Sequence, residues 1–209
     1  LIPTEAVRIL QNIREGVLLM LSWGRRHWPL NLIARRESEA AGKLLAQIPI
    51  SRHWMADIGS GSGSAVVALR SERCIGVDRS WRMARRAIQG GCLHAVCADA
   101  EVLPLASDRF GLLLAIGVVE YLRDPAPLLK EAARILQYDG WMLLTVTPEG
   151  WNLPFRRLAG LPVYIHHEED LTLLFQEYQL QVKAWARTAT QILYLLQKVH
   201  AAGPDLSPP

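Results

Sequence analysis

The segment Asp57-Ile58-Gly59-Ser60-Gly61-Ser62-Gly63 constrains this chain more than any other. It follows a short apolar run, His53–Ile58, and precedes a helix-like stretch that begins near Ser64. Alternating glycines between a strand and a helix let the backbone turn sharply. They also let a ligand approach without meeting Cβ atoms. The free amides at the start of the following helix favour a negatively charged group, carboxylate or phosphate. Such a strand–loop–helix unit belongs to an open α/β sheet, where ligands bind at the carboxyl ends of the strands.

The rest of the chain agrees with that assignment. Apolar spacing predicts helices over 4–22 and about 31–47, the latter ending before Pro49. Strands are predicted at His53–Ile58, Cys74–Val77, Leu93–Cys97, Phe110–Ile116 and Trp141–Val146. Helices are predicted at the start of Ser64–Leu69, over Ser80–Gln89 and over Pro125–Gln137, with Asp124 as a cap. The continuous apolar run Phe110–Ile116 fits a central parallel strand covered on both faces. Gln179–Ala186 and Gln191–Lys198 read as an antiparallel hairpin that closes the sheet. The expected fold is α/β: a Rossmann-like, seven-stranded, mostly parallel sheet with helices on both faces and a C-terminal antiparallel hairpin. The expected division is an N-terminal helical cap (1–48), a ligand-binding domain (49–200) and a loose tail (201–209).

Spacing separates the ligand classes. A dinucleotide loop, G-x-G-x-x-G, places its third glycine where this chain has Ser64. Here the glycines are Gly59, Gly61 and Gly63, with Asp57 two residues before the first. That is the S-adenosylmethionine form of the loop. The second strand ends in Asp78, placed to accept hydrogen bonds from two ribose hydroxyls. The third ends in Asp99-Ala100, an acid for an exocyclic amine and an amide for a ring nitrogen. As a helix cap or loop acid, each is unremarkable alone; three acids at successive strand tips on one edge point to a ligand.

These residues resemble a class I S-adenosylmethionine-dependent methyltransferase. The similarity is to the small-molecule branch that includes the ubiquinone and menaquinone biosynthesis enzymes. It is carried by Asp57–Gly63, by Gly76–Ser80 with Met83, by Asp99–Pro104, by Gly117–Leu122 with Asp124-Pro125, and by Asp139-Gly140. The resemblance implies S-adenosyl-L-methionine as cofactor. It implies that Gly59, Ser60, Gly61 and Gly63 line the methionine portion and that Asp57 braces the loop and approaches the amino group. Asp78 is then the ribose ligand, Arg79 and Met83 flank adenine, and Asp99 and Ala100 contact its edge. Ile116 and Gly117 come to lie near the reactive sulfonium. Two departures stand out. Phe110-Gly111 replaces the Phe-Asp frequent at this strand start, and Tyr121 stands where many members carry His.

Alignment of acceptor and methyl group is the protein's main task in such a transfer, and a base is needed only when the acceptor must lose a proton. Candidate groups are Tyr121, His166 and His167, with Glu120 and Glu168 nearby. The alternative for the two histidines is a solvated pair ahead of the acidic helix start Glu168-Glu169-Asp170. Residues 149–166, with Trp151, Phe155, Arg156 and Arg157, read as a substrate lid for an amphipathic or acidic acceptor. A small-molecule or lipid-like acceptor is expected; the competing class is a non-catalytic, methyltransferase-like cofactor-binding or partner subunit.

Composition narrows the partners. A net charge of +3 is too small to imply nucleic-acid binding, and the run Arg79, Arg82, Arg85, Arg86 reads first as a solvated helix face. The charge is uneven, with six Arg against two Glu in residues 1–36. That segment also carries Trp23 and Trp28, and either caps the substrate site or touches an anionic membrane surface. The longest charge-free apolar runs last about ten residues, short of the ~18–20 that span a bilayer. Cys74, Cys92 and Cys97 lack metal-ligand spacing, so no metal is expected. Read as reduced core thiols, they indicate a cytoplasmic protein, membrane-peripheral if the N-terminal segment makes that contact.

Overall fold

The computed structural model describes residues 30–49, 53–61, 63, 73–148 and 163–200. The expected helices over 4–22 and from Ser64, the lid up to residue 162 and the tail fall outside them.

The elements follow the alternation of apolar residues. They are α1 (Leu30–Leu45), β1 (Trp54–Ile58), β2 (Cys74–Asp78), α2 (Trp81–Gln89), β3 (His94–Cys97), β4 (Phe110–Ala115) and a 3-10 turn at Val119–Tyr121. Then come α3 (Ala126–Ile135), β5 (Leu136–Val146), α4 (Glu168–Glu177), β6 (Leu180–Arg187) and β7 (Ile192–Lys198). The strands form one seven-stranded sheet in the order β3-β2-β1-β4-β5-β7-β6. β1 to β5 run parallel. β7 runs antiparallel to both of its neighbours, β5 and β6.

Successive strand side chains point to opposite faces, so a strand buried on both sides must be apolar throughout. β4 shows this directly. Leu113 and Ala115 join a core with α3 and α4, through Leu128, Leu129, Leu171 and Phe175. Leu112 and Leu114 face the opposite core with Leu44, Leu45 and Ile48 from the α1 end and Ala87 from α2. Burying each such leucine contributes ~2 kcal/mol relative to leaving it exposed. Helix α1 is therefore packed on the sheet through its last turns.

Two expectations are corrected. The helix predicted over Pro125–Gln137 stops at Ile135, because Leu136 is already extended and pairs with Phe110. The fifth strand accordingly begins at Leu136 rather than Trp141. It is interrupted by a register shift near Asp139, which has a positive φ of 61°. The buried Lys198 ammonium fixes this irregular stretch, donating to the Leu136 carbonyl and to Asp108 Oδ1, both at 2.7 Å. Second, only two of the three thiols are in the core. Cys74 and Cys92 are buried with their sulfurs 3.6 Å apart, while Cys97 is exposed on the edge strand β3. The unusual Gly111 has a steric reason: a Cβ there would lie 2.5 Å from His53 Cβ.

Candidate functional site

The glycine loop sits where β1 meets β2. The amides of Gly59 and Ser60 both donate to the Val77 carbonyl, at 2.7 and 3.0 Å. Gly59, Gly61 and Gly63 have φ of 69°, 51° and 74°, a region open to glycine and strained for most side chains. Their surroundings differ. A Cβ on Gly59 would meet Val118 Cγ2 at 2.3 Å, so this glycine is pressed against the turn after β4. Among the described residues, a Cβ on Gly61 would meet nothing nearer than the Gly59 carbonyl oxygen at 3.8 Å.

Asp78 does more than terminate β2. Its Oδ2 accepts the Gly61 amide at 2.9 Å and its Oδ1 accepts the Ser80 amide at 2.8 Å. One carboxylate therefore joins the glycine loop to the start of α2. Asp57 lies beneath the loop, 3% exposed. Its Oδ2 and the Ser60 hydroxyl are buried without a hydrogen-bond partner among the described residues. Burial, then the negative charge of Asp78, push the Asp57 carboxyl up to about 7. A buried carboxylate with no partner is costly, and a cationic ligand group at Oδ2 removes that cost.

At the third tip, Asp99 accepts the Glu101 amide at 3.1 Å and lies 3.9 Å from the Arg79 guanidinium. That ion pair is mostly exposed and adds little stability. Ala100 packs at the margin of the core. Met83 is buried with Ala84 and Ala87 on α2, so it is a packing residue as well as a ligand candidate. The loop that carries Asp99 and Ala100 is fastened from below by two residues the sequence reading missed. Glu131 accepts the Leu103 amide at 2.7 Å, and Arg134 donates to the carbonyls of Leu103 and Leu105 at 2.9 and 2.8 Å. The Arg134 hydrogen bond in turn holds Glu131 below the usual carboxylate range.

Beyond β4 the chain turns at Gly117, with a positive φ of 70°, and the Gly117 amide donates to Thr145 Oγ1 at 2.8 Å. Ile116 packs beside the second core. A Cβ on Gly117 would lie 3.7 Å from Glu120 Oε1 and 3.9 Å from Gln191 Nε2. Glu120 and Gln191 thus converge on the tip of β4, though they stand far apart in sequence. Glu120 is fully buried, and its carbonyl accepts the Tyr164 amide at 2.8 Å. Tyr121 is half-buried in the same turn.

The two histidines separate. His166 Nε2 faces the carbonyls of Val119 and Leu122 at 3.1 and 3.0 Å. Two acceptors require a donor, so Nε2 carries its proton and only Nδ1 remains for proton transfer. His167 is exposed at the start of α4. Both line a cavity of about 190 Å³ at the tips of β5 and β7, together with Thr147, Glu168, Arg187 and Tyr194. Arg187 stands 3.9 Å from Glu168 across it. Burial and then the neighbouring Glu168 push the Tyr194 phenol up to about 12. A larger, open groove of about 560 Å³ lies between α1 and the end of β6. The smaller cavity is the one at the tip of β5.

Arg187, Gln191 and Thr145 escaped the sequence reading because nothing in their local spacing marks them. Only the hairpin, returning to pair with β5, brings the first two to this edge. Trp151, Phe155, Arg156 and Arg157 lie outside the described residues.

Residues 56–144 match the family described as Methyltransferase domain. The chain is 30% identical over 198 residues to the malonyl-[acyl-carrier protein] O-methyltransferase of Marinomonas sp. (strain MWYL1), covering 79% of this chain and 72% of that protein. Among solved structures, a Haloferax volcanii protein in complex with the Trm112 methyltransferase activator superposes with a TM-score of 0.71 at 20% identity. The match covers 88% of this chain and 98% of that one. The magnesium protoporphyrin IX methyltransferase of Synechocystis PCC 6803, solved with bound SAH, gives a TM-score of 0.67 at 15% identity, covering 82% and 88% of the two chains. The structures show the shared fold and the sequence relatives the family: this chain belongs to the class I S-adenosylmethionine-dependent methyltransferases.

Proposed function

We propose that the chain methylates an amphipathic or acidic small-molecule or lipid-like acceptor, which enters at the tips of β4 and β5. One observation carries the reading of the cofactor side. Asp57 Oδ2 and the Ser60 hydroxyl are buried, without hydrogen-bond partners among the described residues, beneath three left-handed glycines. That donor set fits the amino-acid end of S-adenosylmethionine, whose ammonium pairs with Asp57. Gly59, Ser60, Gly61 and Gly63 line this end. Asp78 takes the ribose hydroxyls while holding its two amides. Arg79 and Met83 flank the adenine, with Asp99 and the Ala100 amide on its edge, and Ile116 and Gly117 adjoin the reacting centre.

When bound, the cofactor supplies an already activated methyl group. The chain then has to align the acceptor and exclude water, and alignment can account for ~7–11 kcal/mol of a barrier. Tyr121, Gln191 and His167 are placed to orient an acceptor, and of these Tyr121 and His167 can take its proton. His166 serves first as a clamp between the β4 turn and the start of α4. Arg187 supports an acidic acceptor, as does the name of the Marinomonas relative, which specifies a malonyl group on a carrier protein. Glu37 of α1 meets the Thr190 hydroxyl at this same edge. That contact supports a capping role for the N-terminal segment.

Calorimetry is expected to show binding of S-adenosylmethionine and S-adenosylhomocysteine, and tighter binding of NAD would overturn the assignment. Transfer of a labelled methyl group into a cell extract, with identification of the product, names the acceptor. Deleting residues 1–22 is expected to lower turnover more than cofactor affinity.

A further inference from the structure

Helix α2 carries a surface that cofactor binding does not explain. The helix turns about 100° per residue. Trp81, Arg85 and Ile88 therefore fall on one stripe and Arg82, Arg86 and Gln89 on the next. Met83, Ala84 and Ala87 are buried on the opposite side. Trp81 is 66% exposed and Ile88 52% exposed, and all three arginines are exposed. The helix Trp81–Gln89 contains no acidic residue.

A solvated helix face accounts for the arginines. It does not account for an indole and an isoleucine two turns apart on the same outward stripe, with a guanidinium between them. Protein interfaces enrich Trp and Arg as well, but here three arginines stand beside Trp81 and Ile88 with no acidic residue in the helix to offset them, a surplus of positive charge that a phosphate surface matches. A nucleic-acid contact would use the arginines and leave Ile88 without a role. The headgroup zone of a bilayer accepts the whole pattern: aromatic and aliphatic side chains enter the acyl boundary while the arginines pair with phosphates.

We propose that α2 docks the protein on an anionic phospholipid bilayer through Trp81, Ile88, Arg82, Arg85 and Arg86. The helix begins just beyond Asp78, at the carboxyl edge of the sheet, so docking brings that edge to the lipid. The inference rests on the methyl-transfer reading only for its consequence, an acceptor drawn from the membrane; the docking itself is tested independently.

The full chain is sedimented with vesicles of phosphatidylcholine alone or mixed with phosphatidylglycerol. Binding is expected on the anionic vesicles and is expected to fall as salt is raised. The double variant R85Q/R86Q is expected to weaken partitioning about tenfold to thirtyfold, and Trp81→Ser to weaken it severalfold. Both variants are expected to keep the wild-type affinity for S-adenosylhomocysteine, which certifies the fold and avoids any residue assigned to the cofactor. Equal binding to neutral vesicles overturns the proposal. So does unchanged partitioning of both variants, or tighter binding of a single-stranded oligonucleotide than of anionic vesicles. Loss of S-adenosylhomocysteine binding in the wild type would instead overturn the functional reading and leave the vesicle result standing.

Discussion

The two halves of the carboxyl edge are built by different means. On the side of β1 and β2, the site is closed by hydrogen bonds that span fewer than twenty residues. Gly59 and Ser60 lean on Val77, and Asp78 closes the loop onto Gly61 and Ser80. On the side of β4 and β5, it is assembled from afar. Thr145 meets Gly117, His166 meets Val119 and Leu122, and Gln191 reaches the β4 turn. The first half needs a motif and the second needs the finished fold. A common cofactor with a variable acceptor suits that division, because the distal contacts can change without touching the loop.

The largest expected effect joins the two halves. Gly59→Ala puts a Cβ 2.3 Å from Val118 Cγ2 at a left-handed position. Strain and clash together are expected to cost about 3 kcal/mol. Calorimetric melting should show a lowered Tm together with loss of S-adenosylhomocysteine binding. A variant that keeps both would mean the halves are not coupled through this contact.

Asp78→Ala confines the damage to the cofactor half. Affinity for S-adenosylhomocysteine is expected to weaken by ~1.5–3 kcal/mol, the scale of hydrogen bonds to a charged group. The sequence suggests an acid that can be removed with little structural cost; its two amide contacts add a loosened glycine loop. Amide hydrogen exchange at Gly61 and Ser80 is expected to accelerate, and unchanged exchange would assign Asp78 to the ligand alone.

Asp57 sharpens the comparison through pH. Its carboxyl is pushed up from 3.8 to about 7 in the fold. The folded state therefore binds the extra proton between these values, and its contribution to stability, full below about 4, is lost as pH rises through about 7. A bound ammonium favours the carboxylate and reverses the preference. Cofactor binding is then expected to release a proton below pH 7, with affinity rising by up to about tenfold per pH unit there. Calorimetry in buffers of different ionisation heats measures that release, and Asp57→Asn is expected to abolish it. An identical pH dependence in the variant would locate the titration elsewhere.

The smallest effect belongs to the acceptor half. His166→Ala removes a donor shared by two carbonyls and is expected to cost about 0.5–1.5 kcal/mol of stability. Cofactor affinity is expected to stay the same. A loss of affinity equal to that of Asp78→Ala would erase the distinction between the halves.

The same contrast explains what the sequence could convey. Strand alternation, the glycine loop and the hairpin are local patterns, and each appears close to its predicted position. The helix end at Ile135 is not legible in the sequence because Leu136 is apolar in either state; only pairing with Phe110 decides that it is extended. Glu131 and Arg134 look like an ordinary helical ion pair until the Leu103–Leu105 loop is laid on them. Likewise, the pairing of His166 with two backbone carbonyls depends on a contact spanning more than forty residues.

The place of β7 in the sheet sets an order of assembly during synthesis. Val146 at the end of β5 pairs with Ile192, and β6 adds outside β7. Until β7 has left the ribosome, β5 is an open edge, exposed to pairing with other chains. A nascent chain at that stage already contains the glycine loop with Asp57, Asp78 and Asp99, yet lacks Gln191 and Tyr194, so the two halves of the edge are completed at different times during synthesis.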